Sequence, residues 1–303
     1  MKNLSTTLIL IALTISMLSA CSAEYGTNAQ GNTGNTNSNS EFDSGKEIVV
    51  ISREDGSGTR GAFIELFGIE QKNDDGTKKD LTTKEAIIAK QTDVMMNNIT
   101  SNKFAIGYIS LGALNDTVKV LQIEGVMPSA ENVKNETYPI ARPFNIATKS
   151  EITDVAQDFI DFIMSADGQK IVAKSYIAVS DNAPAYAGNK PSGKIVVAGS
   201  SSVNPIMEKL KETYLEINPN AAIEIQMSDS SAGITGAIEG TCDIGMASRA
   251  LKDSELEQLI STQIALDGIA VIISRENPSV NLTKEQVKAI FTGETLKWSE
   301  ISQ

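Results

Sequence analysis

Residues 48–67 read IVVISREDGSGTRGAFIELF. The apolar run at 48–51 fits a buried strand. The turn Glu54-Asp55-Gly56-Ser57-Gly58-Thr59 follows it, and Ala62, Phe63, Leu66 and Phe67 then recur at helical spacing. A loop of small residues and hydroxyls therefore opens straight onto a helix start. The first amides of a helix have no intrahelical partner, and they lie at the positive end of its dipole. Glycines let the backbone come close to a ligand. Such a loop is a cradle for an oxyanion. The same pattern also describes an ordinary strand-to-helix turn, so one loop decides nothing.

Charge narrows the choice. The chain carries a net charge of −12 and has a pI of about 4.6, which argues against non-specific binding to nucleic acid or to an anionic membrane. An anion would have to be held by local dipoles and a few arginines. There is no histidine among the 303 residues. That excludes a Ser-His-Asp triad, a Cys-His pair and a histidine metal site. No nucleophile with a base and no acidic metal cluster stands out, so the sequence predicts a binding protein rather than an enzyme, with no cofactor and no metal.

Residues 1–20 hold Lys2, an apolar run and then Ser19-Ala20 before Cys21. This is a secretory signal, too short to span a bilayer. Leu18-Ser19-Ala20-Cys21 matches a bacterial lipobox, which places cleavage before Cys21 and a lipid on its sulfur. Acyl chains would hold the mature protein at the extracytoplasmic face of the membrane. Residues 21–44 are rich in Asn, Gly, Ser and Thr and read as a flexible tether.

Beyond the tether, strands and helices alternate. Residues 84–90 and 93–100 read as helices, and 104–110 as a buried strand. Residues 153–164 read as an amphipathic helix with Val155, Phe159, Phe162 and Ile163 on one face. Residues 186–192, YAGNKPS, read as a polar joint. A second strand then runs into Ser200-Ser201-Ser202, with Pro205 in the first turn of a helix. Ser230-Ser231 opens another helix, and Ser248-Arg249 follows the strand at 243–248. Thr283 and Gln286 form a capping box. This order predicts an α/β fold with helices on both faces of mainly parallel sheets.

Ligands in such folds bind beyond the carboxyl ends of the strands. Four loops there carry small hydroxyl residues: Ser57-Gly58-Thr59, Ser200-Ser201-Ser202, Ser230-Ser231 and Ser248-Arg249. A tetrahedral oxyanion wants many donors from several directions, and hydroxyls with helix-start amides supply them with few whole charges. Ser201, Ser202 and Ser230 are also candidate helix caps, and Arg53 and Arg249 candidate surface ion-pair residues. Arg60 reads as solvent-facing, Cys242 as a small buried hydrophobe and Trp298 as packing. The stretch GNKPSGK at 188–194 nearly matches a phosphate-binding P-loop, but it ends in Ile195 and precedes a strand, so it is set aside.

At these residues the chain resembles a known family. SREDGSGTRGAF at 52–63 looks like the signature of PstS, the phosphate-binding protein of ABC phosphate importers. AGSSSV at 198–203, SSAG at 230–233 and DIGMASR at 243–249 match its other ligand loops, and IGY at 106–108 and GQKIV at 168–172 are further family-like pieces. The resemblance implies a two-lobed, periplasmic-binding-protein-like (type II) clamp that takes inorganic phosphate and passes it to an ABC permease. Ser201, the Ser202 amide and Ser230 would donate to phosphate. Ser57, Gly58 and Thr59 would close on it from the other lobe, with Arg53 held by Asp55. At Ser248 many relatives have an aspartate that accepts a proton from hydrogen phosphate, so the serine, followed by Arg249, bears on phosphate against sulfate or molybdate. A surface lipoprotein that senses anions is a further reading of the same clamp.

The order of the parts is inverted relative to the family, so the resemblance implies circular permutation. One lobe would combine residues 45–138 with 274–303, and the other would span 145–266. Segments 139–144 and 267–273 would cross between them as a hinge. An exchange of halves between two chains is the other arrangement consistent with this order.

Overall fold

The computed structural model describes residues 42–73 and 77–301. The signal sequence, Cys21 and the tether up to residue 41 lie outside the described residues.

The framework runs β1 (Val49–Arg53), α1 (Gly58–Leu66), β2 (Ile87–Ala89), α2 (Thr92–Ser101), β3 (Ala105–Ser110), β4 (Ala141–Thr148), α3 (Asp154–Met164) and α4 (Ala166–Val172). It continues with β5 (Gly193–Ser200), α5 (Asn204–Ile217), β6 (Ala221–Ser228), α6 (Ser230–Glu239), β7 (Ile244–Ala247), β8 (Ile260–Ile273) and α7 (Lys284–Thr292). Helix ends are set locally. Thr153 and Ser165 cap α3 and α4 by accepting from the amides of Ala156 and Gly168. The Thr283–Gln286 capping box starts α7, and Gly293 ends it at φ 80°, a left-handed conformation that suits glycine.

The strands form one 10-stranded sheet whose main path is β6-β5-β7-β4-β8-β3-β1-β2. The two outer groups are parallel: β5 with β6 and β7, and β1 with β2 and β3. The middle is antiparallel, which the expectation of mainly parallel sheets did not include. β8 is 14 residues long. Its first part, Ile260 to Gly268, pairs with β4, and its last part, Ile269 to Ile273, pairs with β3. One antiparallel strand therefore joins the two parallel groups.

Each group buries its own large core. Phe159, Phe162, Tyr214, Val197 and Ile206 lie in one. Phe63, Tyr108, Val271, Ile290 and Phe291 lie in the other, where the Phe63 and Tyr108 rings stack at 3.8 Å. Smaller clusters on the opposite sheet face hold Met95 and Ile99 of α2, and Ile234 and Ala237 of α6. Helices thus cover both faces, and the hydrophobic stripe of each is what fixes it there. We call each group with its core a lobe. Trp298 is buried, and its indole N–H donates to the Phe104 carbonyl at 3.0 Å.

Residues 84–90 correct the sequence reading: the middle of this stretch is β2, not helix. A short apolar run fits either state, and parallel pairing of Ile51 with Ile87 through Arg53 with Ala89 decides it.

The joint at 186–192 is clamped by an acid. Asp158 projects from the buried side of α3 and is 6% exposed. Its Oδ2 accepts from the hydroxyls of Tyr186 at 2.6 Å and Tyr214 at 2.7 Å, and its Oδ1 accepts from the Asn189 amide at 3.1 Å. Burial pushes the Tyr214 hydroxyl up to about 12, so it stays a donor. A Cβ at Gly188 would lie 2.1 Å from Asp158 Oδ1, which is why the chain passes there as glycine. Replacing Asp158 by alanine strands the buried Tyr214 hydroxyl and the half-buried Tyr186 hydroxyl and frees the joint. We expect a loss of about 3 kcal/mol in urea denaturation, the scale of hydrogen bonds to a charged group, whereas an unchanged midpoint would mean the joint is held elsewhere.

Candidate functional site

The carboxyl ends of β1, β5 and β7 and the starts of α1, α2 and α6 meet in one place. α1 begins at Gly58, with Ser57 as its cap accepting from the Arg60 amide. α6 is capped by Asp229, not by a serine, which leaves the Ser230 hydroxyl for other partners. The residue preceding α5 is Val203, with no side-chain cap, so Ser201 and Ser202 are not caps either.

Six hydroxyls from the two lobes are then in mutual reach. Thr59 Oγ1 lies 2.8 Å from Ser202 Oγ across the lobes. Ser200 Oγ donates to Ser248 Oγ at 3.0 Å, and Ser230 Oγ is 3.3 Å from Ser248 Oγ and accepts from the Ser248 amide at 3.0 Å. Ser201 Oγ accepts from Arg53 Nη2 at 3.0 Å. All of these side chains are buried. Backbone also crosses: the Ser231 amide donates to the Gly56 carbonyl at 3.2 Å. A Cβ at Gly58 would lie 2.6 Å from Ser230 Oγ and 2.9 Å from Ser248 Oγ, so only glycine allows this approach.

Among the described residues, Arg53 is the one buried cation reaching this cluster by a hydrogen bond. It is 1% exposed. Its Nε and Nη2 donate to the two Glu54 carboxylate oxygens at 2.8 and 2.7 Å, and Nε also donates to the Ala89 carbonyl. Nη1 is buried without a partner. A buried guanidinium N–H left unpaired is costly, and an acceptor beside it would relieve that cost.

Three sequence expectations change here. Glu54, not Asp55, holds Arg53. Asp55 sits at the turn tip, 95% exposed, and pairs with Arg60 Nη1 at 2.7 Å. Arg60 in turn is not solvent-facing: its side chain is 14% exposed, and it bonds Asp80 at 2.8 Å and the Arg53 carbonyl at 2.8 Å. Arg249 is not brought into the cluster by any bond. Its two terminal nitrogens fork onto Glu255 at 2.8 Å each. Partial burial would raise the Glu255 carboxyl, but this fork and the Lys252 amide hold it below its ordinary value.

Comparison with known proteins follows the same lines. A PBP superfamily domain matches residues 29–167 and 184–303. The phosphate-binding protein PstS 2 of Streptococcus agalactiae is 51% identical over 258 residues, covering 84% of this chain and 88% of that protein. The chain belongs to the PstS family. The crystal structure of a phosphate-binding protein of a phosphate ABC transporter from Streptococcus pneumoniae superposes with a TM-score of 0.68 at 44% identity, over 84% of this chain and 100% of that one. The PstS of Staphylococcus haemolyticus matches differently: 37% identity over only 112 residues, 34% of this chain and 35% of that protein.

Within this PstS-type crevice, sequence reasoning missed Thr92 and undervalued Ser200. Thr92 Oγ1 lies 3.4 Å from Ser201 Oγ and 3.5 Å from Ser202 Oγ, and it is the first residue of α2, whose cap position, Gln91, makes no side-chain bond. The signal was present as a hydroxyl before an amphipathic stretch. Reading residues 84–90 as helix hid that start. The tight meeting at Gly58 is testable. Gly58→Ala should leave both cores folded yet hold the lobes apart, seen as a larger radius of gyration by small-angle scattering; an identical profile would show that the neighbours yield instead.

Proposed function

We propose that this protein is an extracytoplasmic solute-binding lipoprotein that captures inorganic phosphate between its two lobes and delivers it to an ABC importer. The observation that carries the reading is the gathering of Thr59, Thr92, Ser201, Ser202, Ser230 and Ser248 in one buried crevice, where Ser201 accepts from the buried Arg53, whose Nη1 has no partner. Ser57, Gly58 and the start of α1 add amides from the same side. A fully dehydrated anion is held here by many neutral donors and one paired cation. The PstS relatives named for phosphate binding support the ligand, and the phosphate ABC transporter protein from S. pneumoniae supports the delivery step.

Capture would proceed by closure about β4 and β8, the strands shared by the lobes. Lipid on Cys21 would keep the receptor at the outer face of the membrane, with residues 21–44 as the tether. Among the described residues no helix is long and apolar enough to cross a membrane. The partial match to the S. haemolyticus PstS, beside a nearly full match to PstS 2, supports circular permutation: a co-linear alignment of exchanged parts recovers only one of them. The site uses binding chemistry and not catalysis, since hydroxyls bonded to one another lack the base that would activate one of them.

Ser248 favours a second reading. A hydroxyl repels a fully ionised oxyanion less than a carboxylate does, so sulfate or molybdate is the rival ligand. Isothermal calorimetry on the purified protein separates the two. We expect phosphate to bind at micromolar concentration or tighter and sulfate more weakly. No heat with phosphate rejects the proposal, and tighter binding of sulfate reassigns the ligand. Thr59→Val and Ser230→Ala should each weaken phosphate binding by about 1–3 kcal/mol, the penalty of a buried bond left unmade. Wild-type affinity in both would place the ligand elsewhere.

A further inference from the structure

A second buried arginine stands behind the site, on the hinge itself. Arg142 of β4 pairs in register with Asp267 of β8. Their side chains are 2% and 1% exposed. Asp267 Oδ2 accepts from Arg142 Nε at 3.3 Å and Nη2 at 3.2 Å. Its Oδ1 accepts from Ser110 Oγ at 2.9 Å and from the Gly112 amide at 3.4 Å. That uses two nitrogens of the guanidinium. The third, Nη1, is buried without a partner.

The topology puts this pair at the crevice. Ser110 is the last residue of β3, which runs parallel to β1, so Asp267 lies at the carboxyl ends of that group. On the other side, β7 ends opposite Asn145 of β4, three positions from Arg142. The carboxyl ends of both parallel groups thus flank Arg142. The Arg53 and Arg142 charges are near enough to repel, which adds to the larger effect of burial in lowering the Arg142 guanidinium to about 10. Burial raises the Asp267 carboxyl to about 6, so both remain charged at neutral pH. The groups acting on Arg142 are Asp267 from β8, Arg53 from β1, Tyr176, and the Phe144 ring, centred 5.3 Å away, which itself packs on the Tyr176 ring; Ser110 from β3 reaches Asp267 instead. The Tyr176 hydroxyl, raised mainly by burial and further by Asp267, stays protonated.

We propose that Arg142 is a second cation of the anion site, donating through Nη1 to the bound oxyanion, while Asp267 holds the guanidinium in place and offsets its charge. This rests on the phosphate reading above and adds to it a preference for the dianion. Arg53 and Arg142 are alike: each spends Nε and Nη2 on a carboxylate and keeps Nη1 free. Two such guanidiniums repel in a dry space. A doubly charged ligand between them relieves that repulsion more than a singly charged one. Charge would then favour the phosphate dianion over the monoanion, while sulfate, a dianion throughout this range, is separated from phosphate by the hydroxyl donors.

The test is calorimetry with inorganic phosphate from pH 6 to pH 8 on wild type, Arg142→Gln, Asp267→Asn and the double variant Arg142→Met/Asp267→Leu. The double variant removes the buried pair as a unit and so guards against misfolding of the single ones. Wild-type affinity should rise with pH as phosphate loses its second proton. Arg142→Gln and the double variant should bind at least tenfold more weakly at pH 8 and lose that rise. Asp267→Asn should bind more tightly than wild type, because Arg142 then acts without its counter-ion. A merely structural pair predicts losses of the same sign in both single variants. That pattern, or wild-type affinity and pH slope in the double variant, overturns the proposal. Failure of the wild type to bind phosphate instead overturns the ligand reading on which it rests.

Discussion

The antiparallel pairing of β4 with β8 is the constraint from which the rest of the architecture follows. Residues Ala141 to Thr148 run against Ile260 to Gly268, and β8 then continues into the other lobe without a break. Two parallel sheet groups are joined at this pair, each ending its strands toward the same crevice. Because a backbone ladder is directional, the pairing fixes how the lobes face one another. It also brings a charged residue from each strand into the buried interior. Such a pair is weak evidence for stability, since desolvation offsets the attraction. Its value here lies in placing a guanidinium where both groups of strands terminate.

An acidic protein that binds an anion needs a local answer to an unfavourable global field. With a net charge of −12, long-range attraction is absent. The crevice replaces it with short-range donors: hydroxyls at 2.8 to 3.5 Å from one another and helix starts aimed at the same region. Arg53 is itself neutralised by Glu54. Such a site discriminates by geometry and by the number of donors, since neutral donors attract acceptors of any charge and reward only those that fit.

Much of this was legible in the chain. The strand-turn-helix at 48–67 and the serines after β5 and at α6 are local patterns, and each folds as its residues dictate. The capping signals at Thr153, Ser165 and Thr283 are local too. What was not legible depends on partners far away in sequence. β2 reads as helix until its parallel pairing with β1 is known. Thr92 belongs to the cluster only through Ser201 and Ser202, more than one hundred positions on. The choice of Glu54 over Asp55 as partner of Arg53 turns on side-chain direction after the strand ends, which spacing does not carry. Arg249 matched a family loop, yet Glu255, six residues on, offers it a two-point fork that holds it there.

The hydroxyl cluster also explains why the lobes can meet so closely. Charged groups lining both walls would have to be stripped of water and paired individually, and burial of an ion without a partner costs several kcal/mol. Serine and threonine act as donor and acceptor alike, so Thr59 with Ser202 and Ser230 with Ser248 satisfy one another with no net charge buried. The same rotation that lets each hydroxyl accept from its neighbour lets it turn and donate to an oxyanion. The guanidinium nitrogens have no such freedom, because they only donate. Arg53 Nη1 and Arg142 Nη1 therefore stay unpaired when the hydroxyls pair among themselves. A bound acceptor would give those two atoms the partner that the hydroxyls do not supply.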